Sequence, residues 1–126
     1  MKTKIFSFIL LTALFITSCT PNNPQPNPTP STPQTYSVKY RFVCPSQCTV
    51  RYRNGTNGIN ELQDFSGTGE WQVTMQSSQQ AYISALNGNG NANDQLLIEI
   101  YVDGVLKSEA IGVGTGAYPV CYFNLP

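Results

Sequence analysis

Histidine is absent from all 126 residues, and charged side chains make up only 11% of them. The chain therefore lacks the usual general base of serine and cysteine nucleophiles and the histidine ligands of HExxH zinc sites. The carboxylates do not replace this chemistry, because Glu99 and Asp103 would lie about 13 Å apart along one strand, farther than a glycosidase pair. We expect a protein without enzymatic activity, metal or cofactor.

Basic charge is also in short supply in the part of the chain that we expect to be globular. Residues 36–126 carry five basic and seven acidic side chains, which gives a net charge of −2. A slightly acidic domain is a poor non-specific binder of polyanions. Nucleic acid is therefore not among the expected partners.

The sequence has no hydrophobic run of the length that spans a bilayer, about 20 residues. Its longest run, residues 5–16, follows Lys2 and Lys4 and leads into Ile-Thr-Ser-Cys, which ends at Cys19. This is typical of an export signal, and the aliphatic residue three positions before the cysteine resembles a bacterial lipobox. We predict that residues 1–18 are a lipoprotein signal peptide and that diacylated Cys19 anchors the protein to membrane lipid. The alternative is an ordinary secretory peptide in which Cys19 is incidental.

Residues 19–35 are predicted to form a stalk behind the lipidated cysteine. Residues 20–35 contain six of the nine prolines and no charge, and such tracts favour extended polyproline II at about 3.1 Å per residue, or roughly 50 Å in total. The residue after the lipidated cysteine is Thr20 rather than aspartate, which resembles the pattern of lipoproteins that are sent to an outer membrane. The lipobox resembles those of Bacteroidota, whose surface-exposed lipoproteins usually carry an acidic cluster that residues 20–24 lack. We therefore expect an outer-membrane anchor with the domain facing the periplasm.

From residue 36 onward, apolar residues recur with a period of two. The alternation is clearest in residues 36–42, 49–53 and 70–75, and further strand candidates are residues 59–65, 81–86, 96–102, 105–111 and 118–123. Asn-Gly and Asp-Gly pairs between these segments are typical of hairpin turns. Seven to eight short strands predict that residues 36–126 form an all-β domain without a substantial helix. An immunoglobulin-like antiparallel sandwich is the expected architecture, and a small barrel is the alternative.

Four short motifs of this domain resemble a known family. They are Tyr52-Arg53-Asn54-Gly55, Trp71 followed by Val73 and Met75, Ile100-Tyr101-Val102-Asp103-Gly104, and Gly116-Ala117-Tyr118. Together they resemble the mycobacterial membrane small protein (MmpS) family, and similar short lipoproteins occur in other bacteria. The resemblance implies an immunoglobulin-like periplasmic domain that assists a large membrane exporter of lipids or siderophores. The chain differs from the family in its anchor, because members use a transmembrane helix. It also has Ile98 where members tend to carry a cysteine, so that Cys121 lacks this partner.

Three cysteines remain in an oxidising compartment once Cys19 is lipidated. Cys44 and Cys48 are separated by three residues, and a tight hairpin would hold their Cα atoms within the roughly 4.4–6.8 Å that a disulfide tolerates. We predict a Cys44–Cys48 disulfide. The rival pairing joins Cys121 to Cys44 or Cys48 and closes a longer loop. The CxxxC spacing argues against a redox-active pair.

A hairpin closed by that disulfide would place basic side chains opposite one another, with Arg41 facing Arg51 and Lys39 facing Arg53. Like charges in directly opposite positions destabilise a sheet. Three explanations remain open. The first is that the strands pair in a different register from the predicted one. The second is that acidic side chains on a neighbouring segment compensate the basic charges, and the third is that the four residues form a patch that binds an anion or a partner. A solvated, salt-screened basic face is the simplest interpretation.

Seven tyrosines and one tryptophan are many for so small a protein. Tyr40, Tyr52 and Trp71 fall on the apolar faces of their strands, so we expect them in the core. Tyr101 alternates with the apolar residues of its strand and is predicted to be exposed. The expected function is an accessory or interaction module of the cell envelope, with a membrane protein such as an exporter as its partner. The alternative is a small glycan-binding lipoprotein, which would need two or more coplanar, exposed aromatics in a groove.

Overall fold

The computed structural model describes residues 32–126, in which all regular secondary structure is β-strand. The all-β prediction is therefore confirmed for this part of the chain. The predicted signal peptide, Cys19 and the predicted stalk up to residue 31 lie outside the described residues. Within residues 32–126, no helix has the length and apolar character needed to cross a membrane.

One antiparallel sheet holds all six strands of the described chain. The strands are β1 (Thr35–Arg53), β2 (Ile59–Gln76), β3 (Gln80–Leu86), β4 (Gln95–Val102), β5 (Val105–Val113) and β6 (Val120–Asn124). Strand β1 lies at the centre and pairs with β2 along one edge. On its other edge, residues 38–43 pair with β4 and residues 49–52 pair with β3. Strand β5 extends the sheet beyond β4, and β6 extends it beyond β3, so that β1 divides the sheet into two halves.

Strands β1 and β2 bend together where the two halves meet. Cys44 pairs with Gly67 and Cys48 pairs with Phe65, so that β1 advances by four residues where β2 advances by only two. Asp64 and Gly67 of β2 take positive φ angles of 52° and 103° at the same place. Extra residues on one strand of a pair bend that strand and increase its twist. The predicted hairpin turn at residues 45–47 is therefore wrong, because the chain continues through a bend.

Every predicted strand segment contributes to this sheet, but the segments join differently. Residues 36–42 and 49–53 merge into β1, and residues 59–65 and 70–75 merge into β2. Six strands of one curled sheet thus replace seven to eight short ones in two sheets. The curl brings β5 close to the segment before β6, where a Cβ on Gly112 would lie 2.6 Å from the Cδ atom of Pro119. The architecture approaches a small barrel.

The core lies inside the curl, and β1 supplies the largest part of it. Inward-facing side chains of β1 are between 0% and 8% exposed, as the alternation in the sequence predicts. The ring of Tyr40 lies 5.5 Å from that of Tyr52, and Phe42 packs edge-on against Phe65 at 4.9 Å. Burial of a large apolar side chain such as Phe42 stabilises the fold by about 1.5–3 kcal/mol. These contacts join the two halves of the sheet.

Trp71 is 41% exposed, which corrects its expected place in the core. It lies directly opposite Tyr40 on β2, with its ring 5.6 Å from that of Tyr52. Most of β2 is exposed, because the strand has a paired neighbour on one side only. Trp71 therefore covers the rim of the core, whereas Tyr40 and Tyr52 are buried as predicted.

Candidate functional site

Cys44 and Cys48 form the predicted disulfide at the bend of β1, with their Cα atoms 6.1 Å apart. Cys121 stays free and buried, and its Sγ lies 3.6 Å from the carbonyl oxygen of Ile98. Burial raises the pKa of the Cys121 thiol, which keeps it in the protonated, unreactive form. The rival pairings that use Cys121 are therefore wrong, and the disulfide braces the bend.

The four basic residues predicted to form one patch lie on different parts of β1. Lys39 and Arg41 belong to the half that pairs with β4, whereas Arg51 and Arg53 lie beyond the bend. The predicted oppositions of Arg41 to Arg51 and of Lys39 to Arg53 are wrong, because β1 does not fold back on itself. The structure divides the predicted patch into two pairs.

Carboxylates on neighbouring strands compensate three of these four charges, which is one of the explanations that the sequence left open. Each arginine donates a hydrogen bond to its carboxylate, Glu99 for Arg41 and Glu61 for Arg51. These hydrogen bonds and the negative charge of the carboxylates raise the pKa of both arginines. The Glu99 side chain is only 9% exposed, so its pair with Arg41 is the most buried of the three. The pairs are Lys39 with Glu70 at 3.5 Å, Arg41 with Glu99 at 2.6 Å, and Arg51 with Glu61.

Tyr101 is half-buried, although the sequence predicts it to be exposed. It lies opposite Lys39 in the ladder between β1 and β4, and the Lys39 ammonium lies 4.7 Å above its ring centre. Partial burial and the neighbouring Glu99 carboxylate raise the pKa of its hydroxyl. Tyr101 therefore belongs to a surface on which the neighbouring charged side chains, Lys39 and Arg41, are already paired.

A different surface has the composition of a binding site. It is the outer face of β3, β6 and the second half of β1, and we call Arg51, Arg53, Tyr82, Tyr118 and Tyr122 the tyrosine–arginine face. Tyr82 lies directly opposite Tyr122 in the ladder between β3 and β6. Tyr122 is 63% exposed and Tyr118 is 49% exposed. Three aromatic rings and two guanidinium groups thus share one side of the sheet.

A groove of about 340 Å³ opens on this face, lined by Arg51, Arg53, Ile59 and Tyr82. Alternation along β1 puts both arginines on the outer side, and Arg53 lies opposite Ile59 in the ladder with β2. Tyr82 and Ile59, which is 50% exposed, supply apolar walls beside the two guanidinium groups. The volume is at the lower end of the range for small-molecule sites, about 300–1,000 Å³.

Arg53 is the arginine of the groove that has no carboxylate partner among residues 32–126. Its Nη1 donates to the carbonyl oxygen of Gln80 at 3.4 Å, and its Nε is buried without a hydrogen-bond partner. A guanidinium carries five N–H donors in a fixed plane. Within the described chain, most of the donor capacity of Arg53 is therefore unused.

Three hydroxyl groups form a cluster on the same face. The Tyr118 hydroxyl donates to Oγ of Ser84 at 3.2 Å and lies 3.5 Å from the hydroxyl of Tyr82. Hydrogen bonds to Ser84 and Tyr82 lower the pKa of Tyr118. The bond to Ser84 also lowers the pKa of Tyr82, but the contact with Tyr118 and partial burial outweigh it and leave that pKa raised. The contacts are long, so the hydroxyls keep capacity to bind another polar group.

Sequence reasoning missed the tyrosine–arginine face, although its signal is present. Tyr82 alternates with Ala81 and Ile83, and Tyr122 alternates with Cys121 and Phe123. In each case the small or apolar neighbours face inward, so the tyrosine must face outward. The pairing of β3 with β6, which brings the two tyrosines together, depends on long-range topology that the local pattern does not contain.

Within residues 32–126, no cluster of three or more cysteine, aspartate or glutamate side chains is placed to hold a metal ion. No protein-family model matches the chain, and no curated protein matches it.

Proposed function

We propose that the protein is a lipid-anchored, non-enzymatic lipoprotein of the bacterial envelope that acts as an interaction module through its tyrosine–arginine face. In this proposal, acylated Cys19 holds the protein at the outer membrane, and residues 19–35 hold the domain away from the lipid on the periplasmic side. The resemblance to the MmpS family supports a small periplasmic all-β domain with an accessory role. It also supports a membrane protein of an export system as the partner.

The concentration of tyrosine and arginine on one outer face carries this proposal. Tyr and Arg are enriched among the residues that supply most of the energy of protein interfaces. The tyrosine–arginine face exposes Tyr118 and Tyr122 beside Arg53, which has no acidic partner among the described residues. On the first half of β1, by contrast, Lys39 and Arg41 are both paired with carboxylates.

Quantitative affinity capture from the native envelope tests this function. Full-length wild type, Tyr122→Ser and the control Tyr101→Ser are compared, because Tyr101 lies on β4, opposite Lys39, and is not part of the tyrosine–arginine face. We expect a membrane protein that wild type and Tyr101→Ser recover equally and that Tyr122→Ser recovers about tenfold less, the usual order for loss of an interface anchor. Equal recovery by Tyr122→Ser would contradict the assignment of the face.

A second candidate function is glycan binding, and the groove is the observation that favours it. Tyr82 lines the groove, and Tyr122 lies opposite Tyr82 on the next strand. An aromatic ring packs against the apolar face of a sugar, while hydroxyl and guanidinium groups bind the sugar's polar edge. Probing an oligosaccharide array with the full-length protein tests this function, and an array without bound sugars would contradict it.

A further inference from the structure

We propose that the groove recognises the carboxylate of an acidic sugar, a hexuronic acid unit of an oligosaccharide, with Arg53 as the group that binds the charge. The proposal rests on the second candidate function and names its ligand class. It follows from the charges around the groove, from the chemistry of its walls and from the pairing of the strands beneath it.

The charges of the groove favour a carboxylate. Arg51 is already bound to Glu61, and Glu61 also accepts a hydrogen bond from Nε2 of Gln63 at 2.8 Å. This leaves Arg53 as the uncompensated charge of the groove within residues 32–126. The planar fork of a guanidinium matches the two oxygens of a carboxylate and forms stronger, charge-assisted hydrogen bonds with them.

The position of Arg53 is set before any ligand arrives. Its Nε is buried, and its Nη1 donates one long hydrogen bond, of 3.4 Å, to the Gln80 carbonyl oxygen. A partly buried side chain loses less rotamer freedom on binding a ligand than a fully solvated one does. Lys107, by comparison, is an exposed cation on β5 that does not line the groove.

The walls and the floor of the groove favour a sugar over a peptide. Tyr82 and Ile59 offer flat apolar surface, and the hydroxyls of Tyr82, Tyr118 and Ser84 lie together on the same face. At the floor, β1 is paired with β2 on one side and with β3 on the other. An extended peptide that binds by strand addition needs an open strand edge, which β1 at the floor does not offer. The edge of β2 away from β1 is unpaired among the described residues, so an acidic peptide is included as a competitor in the test.

Binding of defined oligosaccharides to the full-length protein tests the proposal. The probes are oligomers of galacturonic acid and of hyaluronan, each compared by calorimetry with its carboxyl-reduced, neutral counterpart. We expect at least one acidic oligomer to bind, and its reduced counterpart to bind about 10–100-fold more weakly, as for loss of a charged hydrogen bond. Arg53→Gln should show the same loss with the acidic oligomer, whereas Lys107→Gln, which removes a charge elsewhere, should bind as wild type does.

The outcomes separate this proposal from the function on which it rests. If the neutral counterparts bind as tightly as the acidic oligomers, carboxylate recognition is wrong and glycan binding stands. If none of these oligomers binds but the array shows another sugar, carboxylate recognition alone is wrong, and if the array is also empty, both are wrong. If hexaglutamate displaces the acidic oligomer at equal concentration, the groove binds acidic peptides and the proposal is overturned. Should Arg53→Gln fail to fold, Arg53→Lys keeps the charge but not the fork, and unchanged affinity in that variant would contradict the role given to Arg53.

Discussion

Phe42 shows how one side chain fixes the position of β1 on β2. Gly69 lies directly opposite Phe42, and a Cβ at that position would collide with the Phe42 ring, which is fully buried against Phe65. We expect Gly69→Ala to lower the free energy of unfolding by about 1–3 kcal/mol, the usual cost of overpacking. Urea denaturation measures the change, and Gly88→Ala is the control because a Cβ on Gly88 meets no atom within 4 Å. Equal stability of both variants would contradict this packing.

Tyr40 makes the stability of the fold sensitive to alkaline pH. Burial raises the pKa of its phenol from 10.0 to about 12. The folded state therefore holds this proton more tightly than the unfolded state, and the resulting stabilisation is complete below pH 10 and is lost as the pH rises through 12. We expect the urea midpoint to fall across this window, and to fall less in Tyr40→Phe. The same fall in both proteins would contradict the assignment.

Among the elements, the bend of β1 depends most directly on a covalent bond. The Cys44–Cys48 disulfide closes a loop with a sequence separation of only 4, so its effect on chain entropy amounts to about 2 kcal/mol. We expect reductant to lower the free energy of unfolding of wild type by this order and to leave the Cys44→Ala/Cys48→Ala double variant unaffected. Peptide mapping without reduction should recover Cys121 as a free thiol, and a cross-linked peptide containing Cys121 would contradict the pairing.

The strand pattern of β1 could be predicted from the sequence, but its continuity could not. Alternation from Tyr36 to Phe42 and from Val50 to Tyr52 marks the buried side chains correctly. The five residues from Cys44 to Cys48 are compatible with a tight turn and also with a bulge, because both place a short irregular segment between two alternating runs. What decides between them is the bend of β2 at Asp64 and Gly67, which is distant in sequence.

The candidate site was less predictable for the same reason. The sequence predicts like charges facing each other across a hairpin, yet Arg41 and Arg51 pair with carboxylates on two different neighbouring strands. The alternation of its strand predicts that Tyr101, like Glu99 and Asp103, faces solvent, but Lys39 on the adjacent strand covers its ring. Parity assigns a side chain to a face of the sheet, whereas exposure and pairing depend on which strands lie next to it.

At the scale of the whole molecule, the proposed lipid anchor at Cys19 would determine where the tyrosine–arginine face acts. A diacylated Cys19 would give stable membrane attachment, because each buried methylene contributes about 0.8 kcal/mol. We expect Cys19→Ala to move the protein from the membrane fraction to the soluble fraction, with the thermal unfolding of its β-domain unchanged. Immunoblotting of fractions washed with carbonate measures the distribution. A Cys19→Ala protein that stays in the membrane fraction would contradict the proposed lipid anchor.

The two halves of the sheet differ in their outer surface chemistry. The half with β4 pairs Lys39 and Arg41 with carboxylates and covers the ring of Tyr101. The half with β3 leaves Arg53 without a carboxylate partner within residues 32–126 and exposes Tyr118 and Tyr122. Paired charges offer a partner fewer free donors than the unpaired guanidinium of Arg53 does. The recognition that we propose is therefore placed on the tyrosine–arginine face.

Site-specific photo-crosslinking in the native envelope tests this assignment most directly. Benzoylphenylalanine replaces Tyr122 in one full-length protein and Leu106 in another, because Leu106 is 43% exposed and lies opposite Tyr101 in the sheet. We expect a discrete cross-linked product from position 122 and none from position 106. A product from position 106 together with none from position 122 would contradict it.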